Sequence, residues 1–435
     1  MKILRKFLVF FIPIIFCINI AQSELTIRIT QGTSKQTPIA IVPFELDVDS
    51  SEKFLDIPNI VTKNLERSGR FKAIPREDML QKPSTGADVD FDDWNILGIE
   101  ALVVGRITQI GNDQYSIQFQ LFDIFRGEQI LGYRMSANQS SFKYVAHRIA
   151  DMIFEKITGI KGVFSTQVAY VTADGNSNDR FYKLVISDSD GDNERIILES
   201  NDPIMSPAWS PDSRQLAYVS FEGNLSSIFI QTLRTGNRRK ISDRIGINGS
   251  PAFSPDGRKL VLTLSNTDGN LDIHTLDLTT RKISRLTTNR SIDTEGTWSP
   301  DGSEIYFTSD RGGSPQIYKI SSVGGTPSRI TFEGNYNARP RLSPDGKKLA
   351  MVHLRNGKYQ IGIIDIEKGS LLVLSTGSQD ESPSFSPNSD TLIYATRQNG
   401  LGFLETVTAD GLIRQRLASQ LGNVREPVWS PFPRP

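Results

Sequence analysis

Side chains able to do covalent or metal chemistry are few in these 435 residues, and they are poorly grouped. Cys17 is the sole cysteine, so no disulfide framework and no multi-cysteine zinc or iron–sulfur site can form. His147, His274 and His353 lie far apart with no second His or Cys at ligand spacing, which marks them as framework residues. Asp188-Ser-Asp190-Gly-Asp192-Asn-Glu194 has carboxylates at the spacing of a calcium loop, with Glu199 at the twelfth position. Its sixth position is Asn193 where that loop needs glycine, and no helices flank it. The segment sits between the runs KLVIS and RIILE, where Asp-Gly makes a hairpin turn, and no metal is expected there.

Serines are the remaining candidates for nucleophiles, and a repeat accounts for them. A Ser-Pro pair follows an aromatic or apolar residue at Ser210, Ser254, Ser299, Ser343, Ser386 and Ser430, at successive intervals of 44, 45, 44, 43 and 44 residues. Strand-like runs follow the first five: QLAYVS, KLVLTLS, EIYFTS, KLAMVH and TLIYAT. Within one period, alternating runs are divided by turn signals such as NTDGN and TTR, giving four short strands per repeat. That is the spacing of a β-propeller blade. In Ser-Pro-Asp-Gly, proline presets a turn and Gly257, Gly302 or Gly346 takes its left-handed exit, with Ser213 and Ser389 substituting in weaker copies. Each serine is thus one of six equivalent turn residues, not a nucleophile. Gln167–Ala173 begins a blade without a preceding Ser-Pro element, while the sixth element has no strands after it. The strand around Pro427–Trp429 should therefore complete the blade begun near residue 164 and close a ring of six.

Residues 24–160 carry no such repeat. PIAIVPF (Pro38–Phe44) is a buried-strand run, Ile57–Arg67 a helix with Ile57, Ile60, Val61 and Leu65 on one face, and Ala101–Ile107 a strand. Tyr115–Ile124 with Glu128–Ser136 makes a hairpin, and Phe142–Ile157 is an amphipathic helix. Helices alternating with strands imply a compact α/β domain, ending near Gly159–Val163. The expected fold is an α/β N-terminal domain over 24–160 followed by an all-β six-bladed β-propeller over 161–435.

Residues 1–23 pair the basic Lys2, Arg5 and Lys6 with an apolar run and a small-residue site, the pattern of a secretory signal cleaved between Ser23 and Glu24. The run is about 14 residues, short of the roughly 20 a spanning helix needs. Phe16 before Cys17 does not suit lipoprotein processing. Cleavage removes three basic and no acidic residues, taking the formal charge from 0 to −3 and leaving no cysteine. A near-neutral chain is no nucleic-acid binder, which needs a basic face to displace counterions from phosphates. No other stretch is apolar enough to span a membrane, and an exported monomer is expected.

The combination of SPAFSPDGRKL, TEGTWSPDGSEIYFTSDRGGSPQIYKI, RITFEGNYNARPRLSPDGKKLAMV and a terminal EPVWSP behind this N-terminal domain resembles the TolB family. Those proteins are periplasmic components of the Tol–Pal envelope system, and the resemblance covers the whole chain. It implies a non-enzymatic, cofactor-free scaffold. One partner would be the peptidoglycan-associated lipoprotein at the mouth of the propeller channel, the other TolA at the extreme N-terminus, in support of outer-membrane integrity and envelope constriction during division. Residues expected in loops ahead of each innermost strand, and so on a common rim, are Met205, Ser206, Asn248, Ser250, Thr294, Glu295, Ala338, Arg339, Glu381, Ser382, Arg425 and Glu426. Thr294 and Glu295 match the family pattern best, whereas Ile247 replaces the polar or histidine residue many relatives carry before Asn-Gly-x-Pro-Ala-Phe. The alternating segment of Glu24, Leu25, Ile27, Arg28 and Ile29 could add to a partner's sheet edge, or could form the first strand of the α/β domain. The resemblance favours docking. The competing reading is a serine peptidase or other propeller hydrolase. Such an enzyme needs a Gly-x-Ser-x-Gly elbow or convergent metal ligands, and neither pattern occurs.

Overall fold

The structure, a computed structural model, describes residues 27–29, 36–48, 54–175, 179–417 and 422–433. Ser23, Glu24 and Leu25, with the expected cleavage point, lie outside them. Among the described residues no helix is long and apolar enough to cross a membrane.

The N-terminal elements in chain order are β1 (Ile27–Ile29), β2 (Thr37–Ile41), β3 (Glu45–Asp47), α1 (Ile57–Arg67), β4 (Phe71–Ala73), α2 (Phe91–Ile96), β5 (Ala101–Gly111), β6 (Gln114–Asp123), β7 (Glu128–Ala137) and α3 (Phe142–Thr158). Helix α1 begins at Asp56, whose carboxylate accepts from the Asn59 amide at 3.0 Å, and Pro58 sits in the first turn where its missing N–H costs nothing. Helix α3 stops at Gly159, which takes the left-handed φ of +74° that ends helices cleanly. One sheet runs β4-β2-β5-β6-β7, with β2 parallel to β4 and β5 and the last three strands an antiparallel meander; β3 pairs β5. The two long helices cover one face through Val61, Leu65, Ile149 and Ile153, while Trp94, Met79 and Ile99 cover Leu102 and Val104 on the other.

Six four-stranded blades follow. Blade 1 joins Gln167–Asp174, Phe181–Asp188 and Arg195–Ser200 to the innermost strand Val424–Trp429, so the ring is closed by the end of the chain. Blades 2 to 6 begin at their innermost strands: Ile204–Trp209, Asn248–Phe253, Asp293–Trp298, Asn337–Leu342 and Asp380–Phe385. Strand β1 does not belong to the α/β sheet. It pairs antiparallel with the outermost strand of blade 6, Ile27 opposite Gln415 and Ile29 opposite Ile413, which corrects the reading of a first α/β strand. The α1–β4 corner packs beside it. Gly69 (φ +68°) sits so close to Ile413 that a Cβ would lie 2.3 Å from its Cδ1, and Arg70 pairs with Asp390 of blade 6 at 3.1 Å.

The Ser-Pro turns are hydrogen-bonded units. Ser299 Oγ donates to Asp301 Oδ1 at 2.6 Å and accepts from the Glu304 amide at 2.9 Å; Ser254 does the same with Asp256 and Lys259. Donors from Ser299 and Ser303 lower the Asp301 pKa from 3.8 to about 2, and Ser254 with the Arg258 amide lowers that of Asp256. A carboxylate whose folded pKa is depressed adds stability above its unfolded value, and that contribution fades as pH falls toward the folded one. The melting temperature should therefore drop between pH 4 and pH 2. Asp301→Asn, which keeps the acceptor as Asn388 does in blade 6, should make that limb shallower. Unchanged acid limbs in scanning calorimetry would count against it.

Candidate functional site at the channel mouth

Each innermost strand is broken by the same bulge. In blade 2, Met205 pairs Val219 and Ala208 pairs Ala217, so Ser206 and Pro207 together face Tyr218; the other five blades shift register at the same place. The first bulge residue is left-handed in all six: Ser206 (φ 52°), Ser250 (45°), Glu295 (59°), Arg339 (56°), Ser382 (56°) and Glu426 (49°). The next residue is proline in five blades and Gly296 in blade 4. Proline has no N–H to lose from a ladder, so it fits a bulge where it would break an ordinary strand. Non-glycine residues at positive φ are strained, and six in register mark a built feature.

These side chains converge on the axis. Arg339 Nε donates to Glu295 Oε1 at 2.8 Å, its Nη2 lies 3.6 Å from Glu426 Oε1, and its Nη1 donates to Ser382 Oγ. Glu295 Oε2 accepts from the Arg339 amide at 3.0 Å and from Thr308 Oγ1 at 2.9 Å, while Glu426 accepts from the Ser206 amide. Burial alone would lower the Arg339 pKa, but Glu295, Glu426 and Glu381 more than offset it and hold the guanidinium charged. Above this clamp opens a concavity of about 480 Å³ lined by Met205, Tyr336, Tyr359, Glu381, Arg397 and Arg425 among others.

The rim expectation needs four corrections. The residues lie inside the innermost strands, not in loops ahead of them, because each strand starts two residues before its bulge. Asn248 is fully buried and binds loop groups, accepting from Ser242 Oγ at 2.6 Å and donating to Arg244 O at 2.7 Å. Ala338 is buried too. Ser382 is likewise buried, while Met205, Ser206, Ser250, Thr294, Glu295, Arg339, Glu381, Arg425 and Glu426 keep some exposure. Sequence reasoning missed Arg341, which lines the axis two residues beyond Arg339, and the T-shaped pair Tyr336–Tyr359 at 5.3 Å. The available signal was the second proline repeat, a proline two residues before the Trp/Phe/Leu of five of the six Ser-Pro elements.

His147 is not an ordinary framework residue either. It faces the Asp188–Asp192 turn across the junction between α3 and blade 1, a contact that spacing could not disclose. The turn itself is the expected hairpin between adjacent strands of blade 1.

These elements define a two-domain protein, a closed six-bladed propeller with a charged axial mouth joined to an α/β domain. The family model described as TolB beta propeller domain matches residues 154–433, and that described as TolB amino-terminal domain matches residues 25–130. The chain is 45% identical over 413 residues to the Tol-Pal system protein TolB of Xanthomonas campestris pv. campestris (strain B100), covering 94% of each chain. Its counterpart in Xylella fastidiosa (strain M12) is 43% identical with the same coverage. The crystal structure of TolB from Acinetobacter baumannii superposes with a TM-score of 0.85 at 40% identity, covering 94% of this chain and all of that one. The chain belongs to the TolB family, and its role lies in the Tol–Pal system.

Proposed function

We propose that the protein acts in the periplasm as a scaffold holding two partners, the peptidoglycan-associated lipoprotein at the axial mouth and TolA at residues 24–29. In this role it supports outer-membrane integrity and envelope constriction during division. The observation that carries the reading is the ring of six left-handed bulge residues, which presents a clamped Arg339 and two glutamates at the floor of one concavity. Fixed, pre-paired charges give a partner orientation at little entropic cost. Strand β1 supports the second site: it is held at a sheet edge by three residue pairs, and a strand so held can exchange onto a partner's sheet.

Calorimetric titration of the mature protein with each partner's soluble domain tests both halves. Deleting residues 24–32 should abolish TolA binding and leave lipoprotein affinity within about twofold. No heat with the lipoprotein would end the mouth assignment. Intact TolA binding after the deletion would end only the assignment of residues 24–29.

A further inference from the structure

We propose that His147, Asp188 and Asp190 form a binding site for a divalent transition-metal ion such as zinc, bridging α3 and blade 1. His147 is 2% exposed, and its Nε2 has no hydrogen-bond partner among the described residues. That nitrogen points at Asp188 Oδ2, 3.6 Å away, and Asp190 Oδ2, 3.7 Å away, both too long for a hydrogen bond. A buried ring nitrogen with no partner is costly unless something else uses it. Zinc holds nitrogen and oxygen ligands at roughly 2.0–2.2 Å, which sets tetrahedral ligand atoms about 3.4 Å apart. The two measured edges are close to that, and all three ligand atoms lie within 4.8 Å of one another.

Lys143 Nζ stands beside the site, 3.4 Å from Asp188, 3.4 Å from Asp190 and 3.0 Å from Asp192. Three carboxylates therefore face the single Lys143 ammonium, and a divalent ion in its place would neutralise more of their charge. Lys143 also lines a cavity of about 310 Å³ with Tyr144, His147, Asp188 and Asn193, which gives the ion a way in and the displaced ammonium a place in water.

The supporting residue is Asn64, whose Nδ2 lies 2.8 Å from His147 Nδ1. A ligating imidazole carries its proton on Nδ1 and needs an acceptor there. Turning the Asn64 amide over supplies Oδ1. The 3.2 Å bond from Arg67 Nη2 to Asn64 is then given up, while Arg67 keeps the Ser189 carbonyl at 2.5 Å and hydroxyl at 3.1 Å. One imidazole and two carboxylates suit zinc; calcium wants six to eight oxygens, which this set does not offer. Because the ligands come from both domains, the ion would favour their docked arrangement.

Isothermal titration of tag-free, chelator-treated mature protein with zinc chloride at pH 7.5 is the test, with thermal unfolding alongside. The expected result is one zinc per chain, a raised melting temperature, and no shift with calcium. His147→Gln and Asp190→Asn should each lose the site. Lys143→Met, which removes the competing ammonium, and Asn64→Asp, which supplies the acceptor outright, should each tighten it on the order of tenfold. Metal-free melting curves of every variant identify any that fail to fold, and those are replaced by the other member of the pair. Absence of saturable binding by the wild type overturns the proposal, as does zinc binding retained by folded His147→Gln or unchanged by folded Lys143→Met.

Discussion

Arg339→Ala should lower affinity for the lipoprotein proposed to bind at the axial mouth by on the order of 30-fold. The guanidinium pairs with both Glu295 and Glu426, and truncating it removes the counter-charge they share, leaving Arg341 as the neighbouring cation on the axis. Removing one member of a hydrogen-bonded charge pair costs about 2–5 kcal/mol. The low end applies because Arg339, Glu295 and Glu426 retain 28%, 21% and 12% side-chain exposure, so water screens part of the repulsion. A loss of about 2 kcal/mol corresponds to roughly 30-fold in binding. Stability falls with it, by several degrees in melting temperature. Adding Glu295→Gln and Glu426→Gln to Arg339→Ala should restore most of the melting temperature, since the repulsion is gone, yet leave binding weak. Recovery of both together would mean that the clamp only holds the fold.

The second large effect is at ring closure. Trp429 lies on the strand that completes blade 1, buried among Val168, Tyr170, Val185 and Ile393. Its indole Nε1 donates to Thr166 Oγ1 at 2.7 Å, and its amide donates to Ser384 Oγ of blade 6 at 3.0 Å. Trp429→Ala opens a cavity where first and last blades meet and removes the indole donor from the Thr166 hydroxyl, which keeps its own bond to Val163 O. Buried tryptophan-to-alanine changes cost about 3–5 kcal/mol. For a chain of this size that is roughly 10 °C in melting temperature. Trp429→Phe, which refills most of the volume, should recover more than half. Equal melting temperatures for Trp429→Ala and wild type in scanning calorimetry would show that closure does not depend on this side chain.

The propeller is legible because its signal is local and repeated: Ser-Pro spacing, turn chemistry and alternating runs act within one blade. The pairing of Val424–Trp429 with Gln167–Asp174 follows from counting incomplete ends. Helix α1 is legible at both ends, since Asp56 and Pro58 start it and its apolar stripe runs to Leu65. The bulges are not, because Pro207 or Pro427 inside a six-residue strand erases alternation and imitates a loop. The partner of β1 is hidden for another reason. Ile29 falls opposite Ile413 in backbone register, and nothing in either segment specifies the other. His147 meets Asp188 only because two domains dock, so its setting is a property of the assembled chain.

Ring closure also has a consequence in time. Trp429 and Thr166 are 263 residues apart, and blade 1 waits for a strand made long after its first one. A chain synthesised at 5–20 residues per second therefore holds blade 1 open for roughly 10–50 s after its first strand appears. During that interval Gln167–Asp174 lacks its inner neighbour, and its bare edge can be held by a chaperone or threaded through a pore. The architecture that leaves the finished ring without a loose end thus sets a delay before folding can finish.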